Sequence, residues 1–78
     1  MKKAVEQDTL VALIESGAAR KFRATRGPGG AGWSLSTRLG RCWLPVRSRR
    51  EPLRTWASLT ALGRFCETMG IGSLVVEF

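Results

Sequence analysis

Residues 33–47 read WSLSTRLGRCWLPVR, two runs of alternating apolar and polar side chains joined at a Gly-Arg pair. Alternation of this kind is typical of a β-strand that has one face against a core and the other in solvent. Gly40 is a natural tight-turn residue between the two runs. The stretch therefore predicts a β-hairpin, and its composition gives the hairpin one apolar face and one basic face.

The two faces are assigned by the period of two. On the inward side we expect Trp33, Leu35, Thr37, Leu39, Cys42, Leu44 and Val46. On the outward side we expect Ser34, Ser36, Arg38, Arg41, Trp43, Pro45 and Arg47. Pro45 has no N–H to give to a ladder, so the second strand is predicted to be an edge, bulged, or paired on one side only at that point.

A further strand precedes the hairpin. Phe22 and Ala24 lie on one side of it, with Lys21, Arg23 and Thr25 on the other. Residues 27–32, GPGGAG, are too rich in glycine for a regular element and predict a hairpin loop. No lysine follows these glycines and they lead into a strand, so they do not match a phosphate-binding loop. The three strands form a predicted meander.

Two amphipathic helices flank the strands. Asp8 is the expected N-cap of the first, and Gly17 can take the left-handed position that closes it. Ser58 is the expected N-cap of the second, which Gly70 ends. The apolar stripe of the second helix consists of Leu59, Leu62, Phe65, Cys66 and Met69.

Short β-rich runs at 53–56 and 74–78 are predicted to add strands. The expected fold class is α+β: an antiparallel β-meander of three to five strands with two helices packed on one face, in the order α-β-β-β-(β)-α-β. Its 78 residues predict a single small domain spanning 1–78, in which a homodimer would add buried area. Both cysteines are expected to be reduced and inward-facing.

We expect a cytoplasmic protein without membrane association. The longest early apolar run, residues 10–14, is far shorter than the ~20 residues of a membrane span and follows two acids. We also expect no enzyme, because the chain has no histidine or tyrosine and its six acids are scattered. No cofactor, metal or small-molecule substrate is expected either, since histidine and paired cysteines are missing as ligands.

Positive charge is concentrated in the middle of the chain. Residues 20–54 hold ten basic side chains and one acidic side chain. The rest of the chain holds three basic and five acidic side chains, so the net charge of +7 arises in residues 20–54. Most of these basic residues are arginine, which suits phosphate recognition and ring stacking. A solvated arginine-rich surface that only aids solubility is the alternative.

The basic face of the sheet is the candidate site for nucleic acid, with DNA the expected form. Its predicted members are Lys21, Arg23, Arg38, Arg41, Trp43, Arg47, Arg49 and Arg50. Such a surface can neutralise several phosphates. Trp43 can stack on an exposed base, or the sheet can lie in a duplex groove. Alternatively, a neighbouring arginine, a dimer mate or the loop at 47–52 covers the Trp43 ring.

Three segments carry a resemblance to a known family. They are LVALIESGAARKFRA at 10–24, GWSLSTRLG at 32–40 and RTWASLTALGRFCETMGIGSLVVEF at 54–78. Together they resemble the small ParC-type partition-associated proteins of plasmids and integrative elements, over about residues 10–78. The shared motifs are mostly structural, and Met69 stands where leucine is commoner. The resemblance implies a role in maintaining mobile DNA.

Two functions of different classes follow. The first is a small accessory nucleic-acid-binding protein of a mobile genetic element, involved in plasmid partition or maintenance. The second is a protein–protein interaction module, an adaptor or inhibitor. It would dock its basic face on an acidic protein, or add its strand edge to a partner sheet.

Overall fold

The computed structural model of the protein describes residues 4–78. Within that range two α-helices and six β-strands follow one another along the chain. They are β1 (Val5–Glu6), α1 (Gln7–Glu15), β2 (Phe22–Arg26), β3 (Trp33–Leu39), β4 (Cys42–Arg47), β5 (Thr55–Trp56), α2 (Leu59–Met69) and β6 (Val75–Val76). The predicted α+β class is confirmed.

All six strands belong to one mixed sheet in the order β1-β4-β3-β2-β6, with β5 beside β3. The predicted meander forms its centre, where β2, β3 and β4 pair antiparallel. The prediction of a purely antiparallel sheet is wrong, because β1 runs parallel to β4 and β6 runs parallel to β2. Strand β6 lies within the run 74–78 that is predicted to add a strand, whereas β1 is not predicted and raises the number of strands above the expected three to five. Each has two residues, too few for the sequence to indicate its direction.

One hydrophobic core lies on the apolar face of the sheet, and both helices contribute to it. Leu10 of α1 and Leu62 of α2 are almost fully buried, in the same cluster as Leu35 of β3 and Val46 of β4. Alternate residues of β2, β3 and β4 therefore point toward this core, as the period of two predicts. The residues between them lie on the other face.

The ends of α2 follow the prediction, and the start of α1 does not. The Ala61 N–H donates to Ser58 Oγ at 3.1 Å, and Gly70 adopts a φ of 83° as the left-handed cap. Helix α1 begins at Gln7 with Glu6 as its N-cap residue, so the assignment of Asp8 as N-cap is wrong. Glu6 is held extended by its pairing with Arg47 of β4, which leaves Asp8 inside the first helical turn.

Two residues predicted to face the core are exposed instead. Cys42 pairs with Leu39 on the last rung of the β3–β4 ladder, beside the Gly40–Arg41 turn and outside the core cluster. Leu59, in the first turn of α2, is 39% exposed. Both positions lie at the end of a strand or helix. The apolar periodicity of the sequence continues to that end, whereas the hydrophobic core does not reach it.

The glycine-rich loop forms the predicted connection between β2 and β3, with a 3-10 turn at Pro28–Gly30. The Gly27 N–H donates to Gly32 O at 3.1 Å and closes the loop. Gly32 has a φ of 65°, and a Cβ placed on it would lie 2.7 Å from the carbonyl oxygen of Trp56. A side chain at this position would push β5 away from β3.

Neither α1 nor α2, the helices of the described range, is long and apolar enough to cross a membrane.

Candidate nucleic-acid interface

The face of the sheet opposite the core, called here the open face, is built from short cross-strand rows. Reading from β4 toward β2, the rows are Trp43–Arg38, then Pro45–Ser36–Arg23, then Ser34–Thr25. Successive rows are two residues apart along each strand, roughly 7 Å at the usual strand rise. The open face thus changes within a short distance from a cationic row to a row of hydroxyl groups.

Arg23 and Trp43 interact across the middle strand. The guanidinium carbon of Arg23 lies 4.4 Å from the centroid of the Trp43 ring, although β3 separates their two strands. Ser36, the residue of β3 opposite Arg23, is small enough to let the long side chain pass over it. Trp43 is half-buried, and Arg23 covers one side of its ring. Of the possibilities that the sequence leaves open for Trp43, this contact corresponds to cover by a neighbouring arginine.

The remaining contacts of Arg23 also lie within the chain. Its Nε is 3.6 Å from Glu77 Oε1, and only 30% of its side chain is exposed. The same Nε is inaccessible to solvent and has no hydrogen-bond partner within residues 4–78. Arg23 therefore holds Trp43 and the segment after β6 in place, and its charge is less available to an external anion than that of an exposed arginine.

Three basic residues meet at the end of the sheet where β2 begins and β3 ends. We call Arg20, Lys21 and Arg38 the cationic end. They line two adjoining clefts of about 320 and 520 Å³, and Trp43 borders the larger one. Neither cleft has an acidic side chain among its described lining residues. Their positive charge is therefore not neutralised locally.

Backbone hydrogen bonds fix the strands at the cationic end. The carbonyl oxygen of Lys21 accepts from the Arg38 N–H at 3.0 Å and from Thr37 Oγ1 at 3.1 Å. Arg20 Nε donates to Gly17 O at 2.9 Å. Arg41 is exposed in the turn after β3, at this same end of the sheet. The sequence does not place Arg20 in the site, because the period of two puts it on the side of Phe22 and Ala24.

The other predicted basic residues lie at the opposite end of β4. Arg49 is within 3.5 Å of Glu6 and 3.3 Å of Asp8, and Arg50 lines the same cleft of about 360 Å³. Arg47 Nε donates to Ser48 O at 3.2 Å. Arg47 is four positions beyond Trp43, about 13 Å along the strand. The eight predicted residues thus form two groups, and acids compensate part of the second.

A groove of about 670 Å³ lies on the open face, and Trp43 borders it as well. Thr25, Ser34 and Ser36 contribute hydroxyl groups, and Pro52 and Leu53 come from the connection between β4 and β5. The Arg54 N–H donates to Val46 O at 3.0 Å, which ties the end of that connection to the sheet. No periodic pattern in residues 48–54 shows where this connection lies, so the sequence offers it only as a possible cover for Trp43 and does not predict the groove.

Two further arginines lie against aromatic rings that pack in or against the core. Arg26 lies 4.4 Å from the Trp33 ring centroid, and Arg54 lies 4.8 Å from that of Trp56 and 5.0 Å from that of Phe65. These contacts cover aromatic rings and add nothing to the cationic end. Across the described chain, no three Cys, Asp or Glu side chains converge as metal ligands.

Comparisons with protein-family models, with curated proteins and with solved structures find no match for this chain. The chemistry of the cationic end and of the groove is therefore the basis on which a function is assigned.

Proposed function

We propose that the protein is a small accessory nucleic-acid-binding protein of a mobile genetic element, acting on DNA in the cytoplasm without catalysing a reaction. The observation that supports this most is the cationic end, where Arg20, Lys21 and Arg38 line adjoining clefts free of lining acids. Phosphates bound there would displace condensed counterions from the DNA, which favours binding. The link to plasmid partition or maintenance rests on the resemblance of residues 10–78 to the ParC-type proteins.

The arrangement of the arginines sets the size of the expected electrostatic effect. Arg23 and Arg49 already contact acids, whereas the cationic end and Arg41 are the groups we expect to contact phosphate. Three or four phosphate contacts give a slope of log K against log salt of roughly −3 to −4 on duplex DNA. Binding through all eight predicted residues would give a clearly steeper slope.

The test is a set of DNA-binding titrations at several salt concentrations, with the partition region of the host element and with random DNA of equal length. Arg38→Gln removes one charge from the cationic end. Arg64→Gln is the matched control, because it removes one charge from an exposed position on α2. We expect Arg38→Gln to weaken binding and to reduce the slope by about 0.9, while Arg64→Gln leaves the slope near that of the wild type.

Equal losses in the two variants would show that only net charge matters and that the cationic end is not the site. Binding to both DNAs that vanishes at physiological salt would contradict the proposed function.

A protein–protein interaction module is the second candidate, and the free edge of β6 favours it. This edge strand has two residues, Val75 is 61% exposed, and Phe78 just beyond is 90% exposed. A partner strand can add to such an edge by backbone hydrogen bonds, and a second copy of this chain can do the same. Light scattering of the purified protein tests the homodimer: a mass that stays monomeric at high concentration excludes self-association.

A further inference from the structure

We infer that the DNA bound by this protein is single-stranded, and that one unpaired base enters the groove beside Trp43 while an adjacent phosphate lies at the cationic end. The inference rests on the proposed DNA-binding function and specifies its substrate. It follows from the position of Trp43, which borders the groove on one side and the larger cationic cleft on the other.

The groove has the chemistry that a nucleobase needs. Trp43, Pro45 and Leu53 give it flat and apolar surfaces, which favour stacking and exclude water. Thr25 Oγ1 and Ser34 Oγ share a hydrogen bond of 3.0 Å, and Ser34 is buried. Ser36, the next hydroxyl on β3, is half-buried, and a hydroxyl group can donate to or accept from the polar edge of any base. The groove therefore suits a base without requiring a particular one.

The spacing of the two features fits neighbouring parts of one nucleotide chain. The row containing Arg38 and Trp43 is adjacent to the row containing Ser36, roughly 7 Å away. Arg23 already fixes the Trp43 ring at 4.4 Å, so the ring does not have to become ordered when DNA binds. A preorganised aromatic surface lowers the entropic cost of association. The base would contact the part of the ring that Arg23 leaves uncovered.

The charge distribution argues against a duplex lying across the sheet. A duplex along β4 would extend from the cationic end toward Glu6 and Asp8, which pair with Arg49 at the opposite end. These carboxylates neutralise part of the positive charge at that end, which therefore attracts phosphate less than the cationic end does. Paired bases also stay stacked inside the helix and show only their edges, so they cannot enter a recessed groove. A single strand needs only the short cationic end and exposes its bases.

The decisive experiment compares four fluorescent probes of equal length by anisotropy. They are a thymine single strand, the same strand with abasic sites throughout, a DNA hairpin duplex and a uridine RNA strand. The abasic strand keeps the phosphate backbone charge and removes the bases. We expect it to bind roughly 5- to 150-fold more weakly than the thymine strand, the effect of losing a stacked base. The duplex should bind more weakly than the thymine strand, and the RNA should bind no more tightly than it does.

A groove-filling variant connects the effect to the site. Thr25→Ile places a larger apolar side chain among the groove residues, on a strand that tolerates β-branching, and leaves the small Ser36 beneath Arg23 unchanged. Thr60→Ile is the matched control, an exposed position on α2 outside the groove. Thr25→Ile should bind the thymine strand about as weakly as the wild type binds the abasic strand, with its abasic binding unchanged. Thr60→Ile should bind all probes like the wild type.

The remaining outcomes distinguish a failure of the single-strand inference from a failure of the proposed DNA-binding function. Equal binding of abasic and thymine strands, or tighter binding of the duplex, would overturn the inference while leaving DNA binding intact. Tighter binding of the RNA would overturn the assignment to DNA. Absence of binding to every probe at low salt would overturn the proposed function itself. Loss of abasic binding in a folded Thr25→Ile protein would show that phosphate binds in the groove and would contradict the assigned geometry.

Discussion

The arginines of this chain have different roles according to what lies next to each of them. Arg23, Arg26 and Arg54 lie over aromatic rings, where each guanidinium covers apolar surface as well as carrying charge. Arg49 contacts two carboxylates, and Arg38 lines clefts without acids. A count of arginines therefore overestimates the groups available to an anion. The choice between covering a ring and binding a phosphate is made residue by residue.

The two cysteines should differ strongly in reactivity. Cys42 is exposed at the end of the β3–β4 hairpin, whereas Cys66 is buried in α2, and burial raises the pKa of the Cys66 thiol above its ordinary value of 9.0. The thiolate is the reactive form, so low accessibility and low ionisation both reduce the reactivity of Cys66.

We expect a thiol reagent to modify one cysteine rapidly in the native protein and two in denaturant. Mass spectrometry identifies the sites, and Cys42→Ser should remove the fast phase. A fast phase that survives in that variant would contradict the burial of Cys66.

At the level of elements, alternation predicted the strands that are long enough to show it. Strands β2, β3 and β4 have five, seven and six residues, and their two faces were assigned correctly except at Cys42. The two-residue strands β1 and β6 gain their partners from tertiary packing, so the sequence did not reveal the parallel pairing.

The candidate site was predictable only in part, for a related reason. The period of two brought Lys21, Arg38 and Trp43 onto one surface, and strand register makes Arg38 and Trp43 direct neighbours. The period of two assigns residues to a face but does not separate the two ends of a strand. The sequence therefore predicts one site that contains both Arg47 and Trp43. The period also cannot follow an irregular connection, and the groove depends on one.

The β2–β3 loop offers a test of how β5 is held against β3. Gly30 and Gly32 both have positive φ, but a Cβ on Gly30 meets nothing within 4 Å, while one on Gly32 lies 2.7 Å from Trp56 O. Gly30→Ala should cost about 1 to 2 kcal/mol for the left-handed conformation alone. Gly32→Ala should cost clearly more, because the β5 backbone must also move. Urea denaturation measures both, and equal losses would show that β5 does not pack tightly on the loop.

Over the whole molecule, the charges divide into two regions of different balance. The cationic end carries exposed basic groups without lining acids, and the opposite end combines Arg49 and Arg50 with Glu6 and Asp8. Among the described residues, basic side chains without lining acids therefore repel one another at the cationic end. A surface of this kind destabilises the folded state slightly until an anion or added salt neutralises it.

This division predicts that single charge removals have opposite effects on stability at the two ends. Arg38→Gln relieves repulsion and should raise Tm at low ionic strength, whereas Arg49→Gln removes an attraction to Glu6 and Asp8 and should lower it. Exposed charges have small effects, so we expect about 1 to 3 °C in each direction.

Thermal melts of both variants and the wild type at two ionic strengths provide the measurement. Raising ionic strength from about 0.01 to 0.1 M shortens the Debye length from roughly 30 to 10 Å, so both differences should shrink and the wild-type Tm should rise. Shifts of the same sign in the two variants would mean that the ends do not differ in charge balance. The cationic end would then lose its distinction from the rest of the surface.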